Sequence, residues 1–170
     1  AKACSGGFVT EETIHFAAAA ELIHNATLLH DDVADNSPVR RGEPTVMSLL
    51  GGRASVLLGD YWLVKGIESV LSVNTFSGKV IRIFSNTLSD LAEGELLQLQ
   101  KADTCDTTES DYYRIIYNKT ASLFVASANT AAISVSASDE KRKAAKLYAE
   151  CLGIAFQIKD DIFDYEGGDR

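Results

Sequence analysis

Hydrophobic residues recur at helical spacing along most of the chain, and no segment alternates between apolar and polar residues as a surface strand would. Thr10 is predicted to cap a helix that runs to about Asp35, because two glutamates follow it in the first turn. Further helices are expected at 46–50, 53–73, 77–101, 108–136 (with or without a break) and from 138 to the glycine pair at 167–168. The pattern predicts one all-α domain over residues 1–170, built as a helical bundle.

The breaks between these helices carry their own signals. Both prolines of the chain and Gly42 fall within residues 36–45, which predicts a loop. Thr108 is followed three residues later by an acidic residue, the form of a capping box at a helix start. Gly59 and Gly66 lie inside the predicted helix 53–73 and indicate close helix packing there.

Two copies of the pattern Asp-Asp-x-x-Asp stand out against this apolar background. The first acidic motif is Asp31, Asp32 and Asp35, and the second is Asp160, Asp161 and Asp164. On a helix the first and fifth residues of such a pattern share one face, so each motif presents a pair of carboxylates. Apolar residues lead into both motifs, at 26–29 and 154–158, so these carboxylates interrupt helix faces that are predicted to be buried.

Paired carboxylates of this kind repel one another and favour a compensating cation. Mg²⁺ commonly uses one or two carboxylates, keeps several waters, and takes its remaining ligands from substrate phosphates. We therefore expect a metal-dependent diphosphate site, with the two motifs facing one another across a cavity of the bundle. The alternative is that both motifs lie on solvated helix faces.

Basic and imidazole side chains near the first motif extend the candidate site. Arg40 and Arg41 follow in the proline-containing loop, where guanidinium groups could bind two different anions. A surface ion pair with a nearby acid such as Glu43 would be the simpler interpretation of the pair in isolation, but beside the first acidic motif anion binding is favoured. His24 lies two turns before Asp31 and shares its face approximately, whereas His30 is rotated away from it. A core histidine satisfied by hydrogen bonds remains an alternative for both, and is the first choice for His15. Glu93 and Glu95 are expected on a solvated face.

Bulk composition narrows the class of protein. The net charge is -8, with a pI near 4.8, which argues against a nucleic acid partner. The three cysteines are widely spaced and odd in number, which favours a reducing, cytoplasmic location over a disulfide framework or a zinc site. No apolar run approaches the ~20 residues needed to span a membrane.

The chain resembles the trans-isoprenyl diphosphate synthases, specifically the bacterial medium- and long-chain polyprenyl type. The resemblance rests on the two acidic motifs, the Arg-Arg-Gly that follows the first, Gly59-Asp60, Lys119-Thr120 and the run from Phe156-Gln157 to Asp164. The resemblance implies an all-helical fold of the isoprenoid synthase type around a central cavity, and a homodimer. It also implies three Mg²⁺ ions and head-to-tail condensation of an allylic diphosphate, such as farnesyl diphosphate, with isopentenyl diphosphate.

Roles for individual residues follow from the same resemblance. Asp31 and Asp35 would hold two of the ions, and the second motif, through Asp160 and Asp164, the third. The remaining site residues divide between the two substrates: Lys119, Thr120 and Gln157 would face the allylic substrate as catalytic residues together with Arg40, while His24 and Arg41 would face isopentenyl diphosphate. Release of an apolar product implies transient contact with membranes, without a membrane span.

Product length is expected to depend on the residues one to three turns before Asp31. These are mostly small: Ala19, Ala20, Ile23, Ala26 and Thr27. Bulky aromatic residues at this place stop elongation in the family, so the small ones imply a medium or long prenyl chain, and Ala26→Phe is expected to shorten it.

Two features of the family pattern are absent from these 170 residues: a Gly-Gly-Lys-x-Arg-Pro segment before the first motif and a basic tail after the second. We therefore expect the chain to be a partial isoprenoid synthase domain, shortened at both ends. Two alternatives for its function stay open. One is a terpene cyclase or squalene-type synthase, and the other is a non-catalytic partner subunit that shapes the product of an active synthase.

Overall fold

The structure, a computed structural model, describes residues 1–165. Its helices, in chain order, are α1 (Lys2–Ser5), α2 (Glu11–Ala34), α3 (Val46–Leu50), α4 (Gly52–Leu71), α5 (Ser77–Thr104), α6 (Glu109–Ile116), a π-helical turn (Tyr117–Ala121), α7 (Ser122–Ser134) and α8 (Asp139–Tyr165). Two short strands, β1 (Val39–Arg40) and β2 (Glu43–Pro44), pair in antiparallel fashion between α2 and α3. The predicted all-α fold is confirmed, and the predicted end of α8 at Gly167-Gly168 lies outside the described residues.

The helix starts follow the capping residues of the sequence. The Thr10 side chain accepts a hydrogen bond from the Thr13 backbone N–H, and the Thr13 side chain accepts one from the Thr10 backbone N–H, which closes a capping box at the start of α2. Thr108 and Asp111 make the same reciprocal pair at the start of α6. These local bonds satisfy backbone donors that the first turn of a helix leaves without partners.

The core is formed where α2 lies between α4 and α7, with α5 closing one side. Its buried side chains come from all four helices: Phe16, Ala19, Ile23, Val70, Val80, Phe84, Ala126 and Ile133. Burial of each large apolar side chain contributes on the order of 2 kcal/mol. This packing holds the carboxyl end of α2, where the first acidic motif lies, in a fixed place relative to α5 and α7.

Glycines set the closest helix approaches, as predicted for Gly59 and Gly66. A methyl group on Gly59 would lie 2.4 Å from Nε2 of His30, and one on Gly66 would lie 3.3 Å from Ile23. α4 can therefore pack tightly along α2 only because these positions lack a side chain.

The π-helical turn between α6 and α7 is held between two further glycines. A methyl group on Gly94 of α5 would lie 2.7 Å from the backbone nitrogen of Lys119, and one on Gly153 of α8 would lie 2.6 Å from Cα of Ala121. A π turn inserts an extra residue into a helix and is frequent at functional sites. Here it brings Lys119 and Thr120 against α5 and α8.

Every helix within residues 1–165 is either too short or too polar to cross the hydrocarbon core of a bilayer.

Candidate active site

The first acidic motif ends α2, and its three carboxylates have different surroundings. Asp35 caps the helix and its backbone N–H donates to the Asp31 carbonyl at 2.8 Å. The Asp32 side chain is only 6% exposed and accepts a hydrogen bond from Nε of Arg40 at 2.8 Å. The middle aspartate is thus committed to an ion pair within the protein, which leaves Asp31 and Asp35 as the candidate ligands.

Asp31 is a part-buried carboxylate with two acidic and two basic neighbours. Its pKa is raised to about 6, chiefly by burial, with Glu95 and Asp35 adding to the shift and Lys119 and Arg40 opposing it. A carboxylate that is costly to ionise without a partner is one that a bound cation would stabilise. The chemistry of this group therefore fits a divalent metal.

The loop after α2 is a tight hairpin that presents the arginine pair. Val39 pairs with Pro44 and Arg40 with Glu43, so Arg41-Gly42 is a two-residue turn, and both turn residues have positive φ, 53° and 81°. Positive φ at both positions defines a type I′ turn, which favours glycine at the second position. Arg40 pairs with Asp32 and not with Glu43, so the alternative of a surface ion pair with Glu43 does not hold for Arg40.

His24 lies on the part of α2 that the hairpin approaches. Burial lowers the pKa of His24, and the positive charges of Arg41 and Arg40 lower it further, against the opposing influence of Glu21. The imidazole is therefore close enough to both guanidinium groups to feel their charge. The charges of Arg40 and Arg41 therefore act on His24 across the space between the hairpin and α2.

Lys119 occupies the centre of the site. Its Nζ lies 2.8 Å from Oε2 of Glu95 and donates to Oε1 of Gln98 at 3.2 Å. The expected solvated face is wrong for Glu95, whose side chain is only 18% exposed and whose Oε1 is buried without a hydrogen bond partner among the described residues. The signal available from sequence was Gly94 beside it, because a glycine in a helix often marks a close approach of another segment.

Thr120 and Gln157, 37 residues apart in the chain, meet directly. The Thr120 hydroxyl donates to Oε1 of Gln157 at 2.6 Å, and Nε2 of Gln157 donates to Oδ1 of Asp161 at 2.8 Å. The Tyr112 hydroxyl donates to the other oxygen of Asp161 at 2.6 Å. Burial and the Asp161 carboxylate raise the pKa of Tyr112 to about 12, so this phenol stays a donor at neutral pH. Sequence reasoning missed Tyr112, which carries no motif of its own.

The second acidic motif lies on the last turns of α8, beside an open cavity of ≈ 470 Å³. Its lining includes Gln98, Tyr112, Asp161 and Asp164. Gln98 bonds to Lys119, and Lys119 is near enough to Asp31 to lower the pKa of its carboxyl group. Asp160 lies on the same helix as Asp164, four residues before it. The hydrogen bond of Gln98 to Lys119 and the electrostatic influence of Lys119 on Asp31 therefore relate the neighbourhoods of the two motifs.

The other histidines have structural surroundings. His15 contacts Ser69, with 3.3 Å between Nδ1 and Oγ, but its side chain is 31% exposed, so it is a hydrogen-bonded, part-buried histidine and not the core histidine that was expected. Nε2 of His30 lies 3.3 Å from Asp60 and faces the Gly59 backbone. Both side chains serve the packing of α2 on α4.

Within residues 1–165 no three acidic, histidine or cysteine side chains converge closely enough to hold a metal ion by themselves. The donor set nevertheless fits Mg²⁺, because that ion takes few protein carboxylates and completes its shell with water and phosphate oxygens. Two features of this region fit a bound cation: burial and nearby carboxylates raise the pKa of Asp31, and Oε1 of Glu95, whose other oxygen pairs with Lys119, has no hydrogen bond partner among the described residues.

An all-helical bundle with paired acidic motifs beside a lysine, a threonine and a glutamine is the arrangement of a prenyl synthase domain. The family model of polyprenyl synthetase matches residues 1–170, and the chain belongs to that family.

Its relatives make prenyl chains of several lengths. The octaprenyl diphosphate synthase of Escherichia coli is 41% identical over 159 residues, which are 94% of this chain and 49% of the relative. The geranylfarnesyl diphosphate synthase of Methanosarcina mazei is 37% identical over 162 residues, covering 95% of this chain and 53% of the relative. The chain spans about half the length of the curated relatives it matches.

Solved structures of prenyl diphosphate synthases also superpose on this chain. A decaprenyl diphosphate synthase from Rhodobacter capsulatus superposes with a TM-score of 0.86 at 44% identity, covering 91% of this chain and 47% of that one. A polyprenyl synthase from Caulobacter crescentus, complexed with calcium and isoprenyl diphosphate, superposes with a TM-score of 0.85 at 40% identity, covering 91% and 46%.

Proposed function

We propose that the protein carrying this chain condenses an allylic diphosphate, such as farnesyl diphosphate, with isopentenyl diphosphate, head to tail, to give a medium- or long-chain all-trans polyprenyl diphosphate. One observation carries the proposal: the π turn brings Lys119 to Glu95, within electrostatic reach of Asp31, and Thr120 against Gln157. The residues proposed to bind the diphosphate, to hold metal and to stabilise a cation would thus act in one region of the bundle.

Asp31 and Asp35, with Asp160 and Asp164 of the second motif, would hold Mg²⁺, and three ions are proposed from the family likeness. When bound, these ions would neutralise the diphosphate and assist its departure from the allylic carbon. The Caulobacter relative, which was solved with calcium and isoprenyl diphosphate, supports divalent-ion binding in this family.

Other side chains of the protein would bind the two substrates and stabilise the reacting carbon. The Lys119 ammonium would bind the leaving diphosphate, and the ion pair with Glu95 keeps that ammonium in place. Arg40 bonds to Asp32 through Nε alone, so its two terminal nitrogens remain as donors for the allylic diphosphate. Oxygens of Thr120 and Gln157 would stabilise the allylic cation, while His24 and Arg41 would bind isopentenyl diphosphate. The proton lost at the end would pass to the released diphosphate.

The small residues before Asp31 support a medium or long product. Ala19, Ile23 and Ala26 are fully buried, and Thr27 is half-buried beside them. No phenylalanine, tyrosine or tryptophan occurs among residues 19–27 of α2.

A homodimer is also proposed. α4 carries an exposed apolar stripe at helical spacing, formed by Leu57, Tyr61, Val64 and Leu71. Exposed stripes of this kind mark association surfaces. Sedimentation of the full-length protein and of its Leu57→Lys variant tests this, and a dimer that persists unchanged in the variant would contradict a role for the stripe. A cytoplasmic location, the absence of a nucleic acid partner and transient membrane contact stay predictions from the sequence.

Incubation of the full-length protein with labelled isopentenyl diphosphate, farnesyl diphosphate and Mg²⁺ tests the activity. We expect label in a prenyl diphosphate longer than farnesyl and loss of incorporation in Asp35→Asn. A cyclic hydrocarbon would select the cyclase, and no product would select the non-catalytic subunit. Calorimetric titration of the same two proteins with Mg²⁺ and inorganic diphosphate supplies a readout that does not depend on turnover.

A further inference from the structure

Four polar side chains form a continuous hydrogen-bonded chain that links three parts of the fold. It begins at Tyr112 on α6, passes through Asp161 and Gln157 on α8, and ends at Thr120 in the π turn. The three donor–acceptor distances are 2.6, 2.8 and 2.6 Å, all within the range of strong hydrogen bonds. All three bonds are part-buried, so competition from water is reduced.

The chemistry of these groups fixes the direction of every bond. An ionised Asp161 only accepts, and the phenol of Tyr112 donates to one of its oxygens. The other oxygen must also receive a donor, so the Gln157 amide turns its nitrogen towards Asp161 and its carbonyl oxygen towards Thr120. The flipped amide would place its carbonyl oxygen against a carboxylate, which is repulsive.

Thr120 is the end point of this ordering. A hydroxyl group has one hydrogen, and the Gln157 carbonyl accepts it. The remaining lone pairs of the Thr120 oxygen are therefore free to face the site, with the negative end of the O–H dipole towards any positive charge that develops there. A dipole oriented before the reaction stabilises such charge without reorganisation cost.

We propose that Tyr112 and Asp161 are positioning residues that hold Gln157 in one amide orientation and thereby make the Thr120 oxygen an electron-rich group towards the allylic cation. This inference rests on the proposed function and adds two residues to it. It also gives Asp161 a role other than metal binding, since its two oxygens are occupied by Tyr112 and Gln157.

The adjacent tyrosine offers a matched control. Tyr113 is 46% exposed and its ring packs edge-on against that of Tyr112, with 5.8 Å between centroids. Tyr112→Phe removes the first donor of the hydrogen-bonded series and keeps the aromatic ring. Tyr113→Phe makes the same chemical change at a residue that takes no part in the series. In the full-length protein with Mg²⁺ we expect Tyr112→Phe to lower kcat about tenfold, with KM for both diphosphates within about twofold and Tyr113→Phe unchanged in both.

A double-mutant cycle separates positioning from general structural damage. Thr120→Val removes the hydroxyl at nearly constant shape, and Thr120→Ser keeps it. If Tyr112 acts through Thr120, Tyr112→Phe will lower kcat in the Thr120→Ser background and have almost no further effect in the Thr120→Val background. Additive losses in kcat, or equal kcat for the two phenylalanine variants, would overturn the proposal.

A second variant, Asp161→Asn, tests the same positioning role in case Tyr112→Phe does not fold. Asp161→Asn preserves the shape but introduces a donor where the wild type has only acceptors, which allows the Gln157 amide to reverse. We expect a kcat at least as low as that of Tyr112→Phe, with a thermal midpoint near that of wild type, and wild-type kcat in Asp161→Asn would refute the positioning role. A wild-type protein that makes no prenyl chain would instead refute the proposed function, and this inference with it.

Discussion

Replacing Asp31 with Asn is expected to stabilise the metal-free protein while abolishing its binding of Mg²⁺. Because burial and neighbouring carboxylates raise the pKa of Asp31 from 3.8 to about 6, the folded protein holds this proton to a higher pH than the unfolded chain does. Unfolding therefore releases a proton between about pH 4 and pH 6, and stability falls as the pH rises through that window. Above it, the whole cost of the buried charge is present.

The shift of about two pKa units corresponds to roughly 3 kcal/mol as an upper bound. Asp31 is part-buried, so solvent screening reduces this to about 1–2 kcal/mol. Urea unfolding in the presence of EDTA measures the difference. Asp31→Asn should unfold at higher urea than wild type at pH 8, and the two curves should approach one another below about pH 4.

The neighbouring aspartate supplies a control of opposite sign. Asp32 is nearly buried and pairs with Arg40, so Asp32→Asn replaces a charged acceptor with a neutral one and is expected to destabilise by about 1–2 kcal/mol at pH 8. An Asp31→Asn protein that is destabilised as much as Asp32→Asn would refute the assignment of uncompensated charge to Asp31.

Three further substitutions test other parts of the structure. Gly94→Ala places a methyl group 2.7 Å from the backbone of Lys119, so we expect a loss of about 1–3 kcal/mol and a lower kcat, whereas Gly78→Ala on the same helix meets nothing within 4 Å and should be neutral or slightly stabilising in urea. Thr108→Ala removes the capping box of α6 and should cost about 1 kcal/mol, and an unchanged urea midpoint would contradict that role. Ala26→Phe should shorten the prenyl product by mass analysis, and an unaltered length distribution would show that α2 does not limit elongation here.

Most helix boundaries could be predicted from the sequence because they depend on interactions between residues that are close along the chain. Thr10 and Thr108 cap helices through bonds to residues three positions later, and such bonds are visible in a short stretch of sequence. The hairpin at Arg41-Gly42 was predicted only as a loop, since two-residue strands carry no periodic signal.

The residues of the candidate site could be predicted only in part from the sequence, because its decisive contacts join segments that are distant along the chain. The two acidic motifs are recognisable from their composition alone. Glu95 was assigned to a solvated face because its role depends on Lys119, 24 residues later, and Tyr112 reaches Asp161 across 49 residues. The π turn that brings Lys119 to Glu95 packs against glycines of two other helices, and no local pattern encodes such a fit.

In both acidic motifs the middle aspartate has a different role from the two outer ones, which accounts for the three aspartates of each motif. In both, the middle residue is bonded within the protein: Asp32 to Arg40, and Asp161 to Tyr112 and Gln157. These bonds hold each middle aspartate in place without external ions. Since burial makes ionisation of Asp31 costly, the proposed metal binding would be linked to folding stability, and Mg²⁺ should stabilise wild type by an amount that rises with its concentration. The same titration on Asp31→Asn should give a much smaller gain, because the charge that the ion compensates is gone.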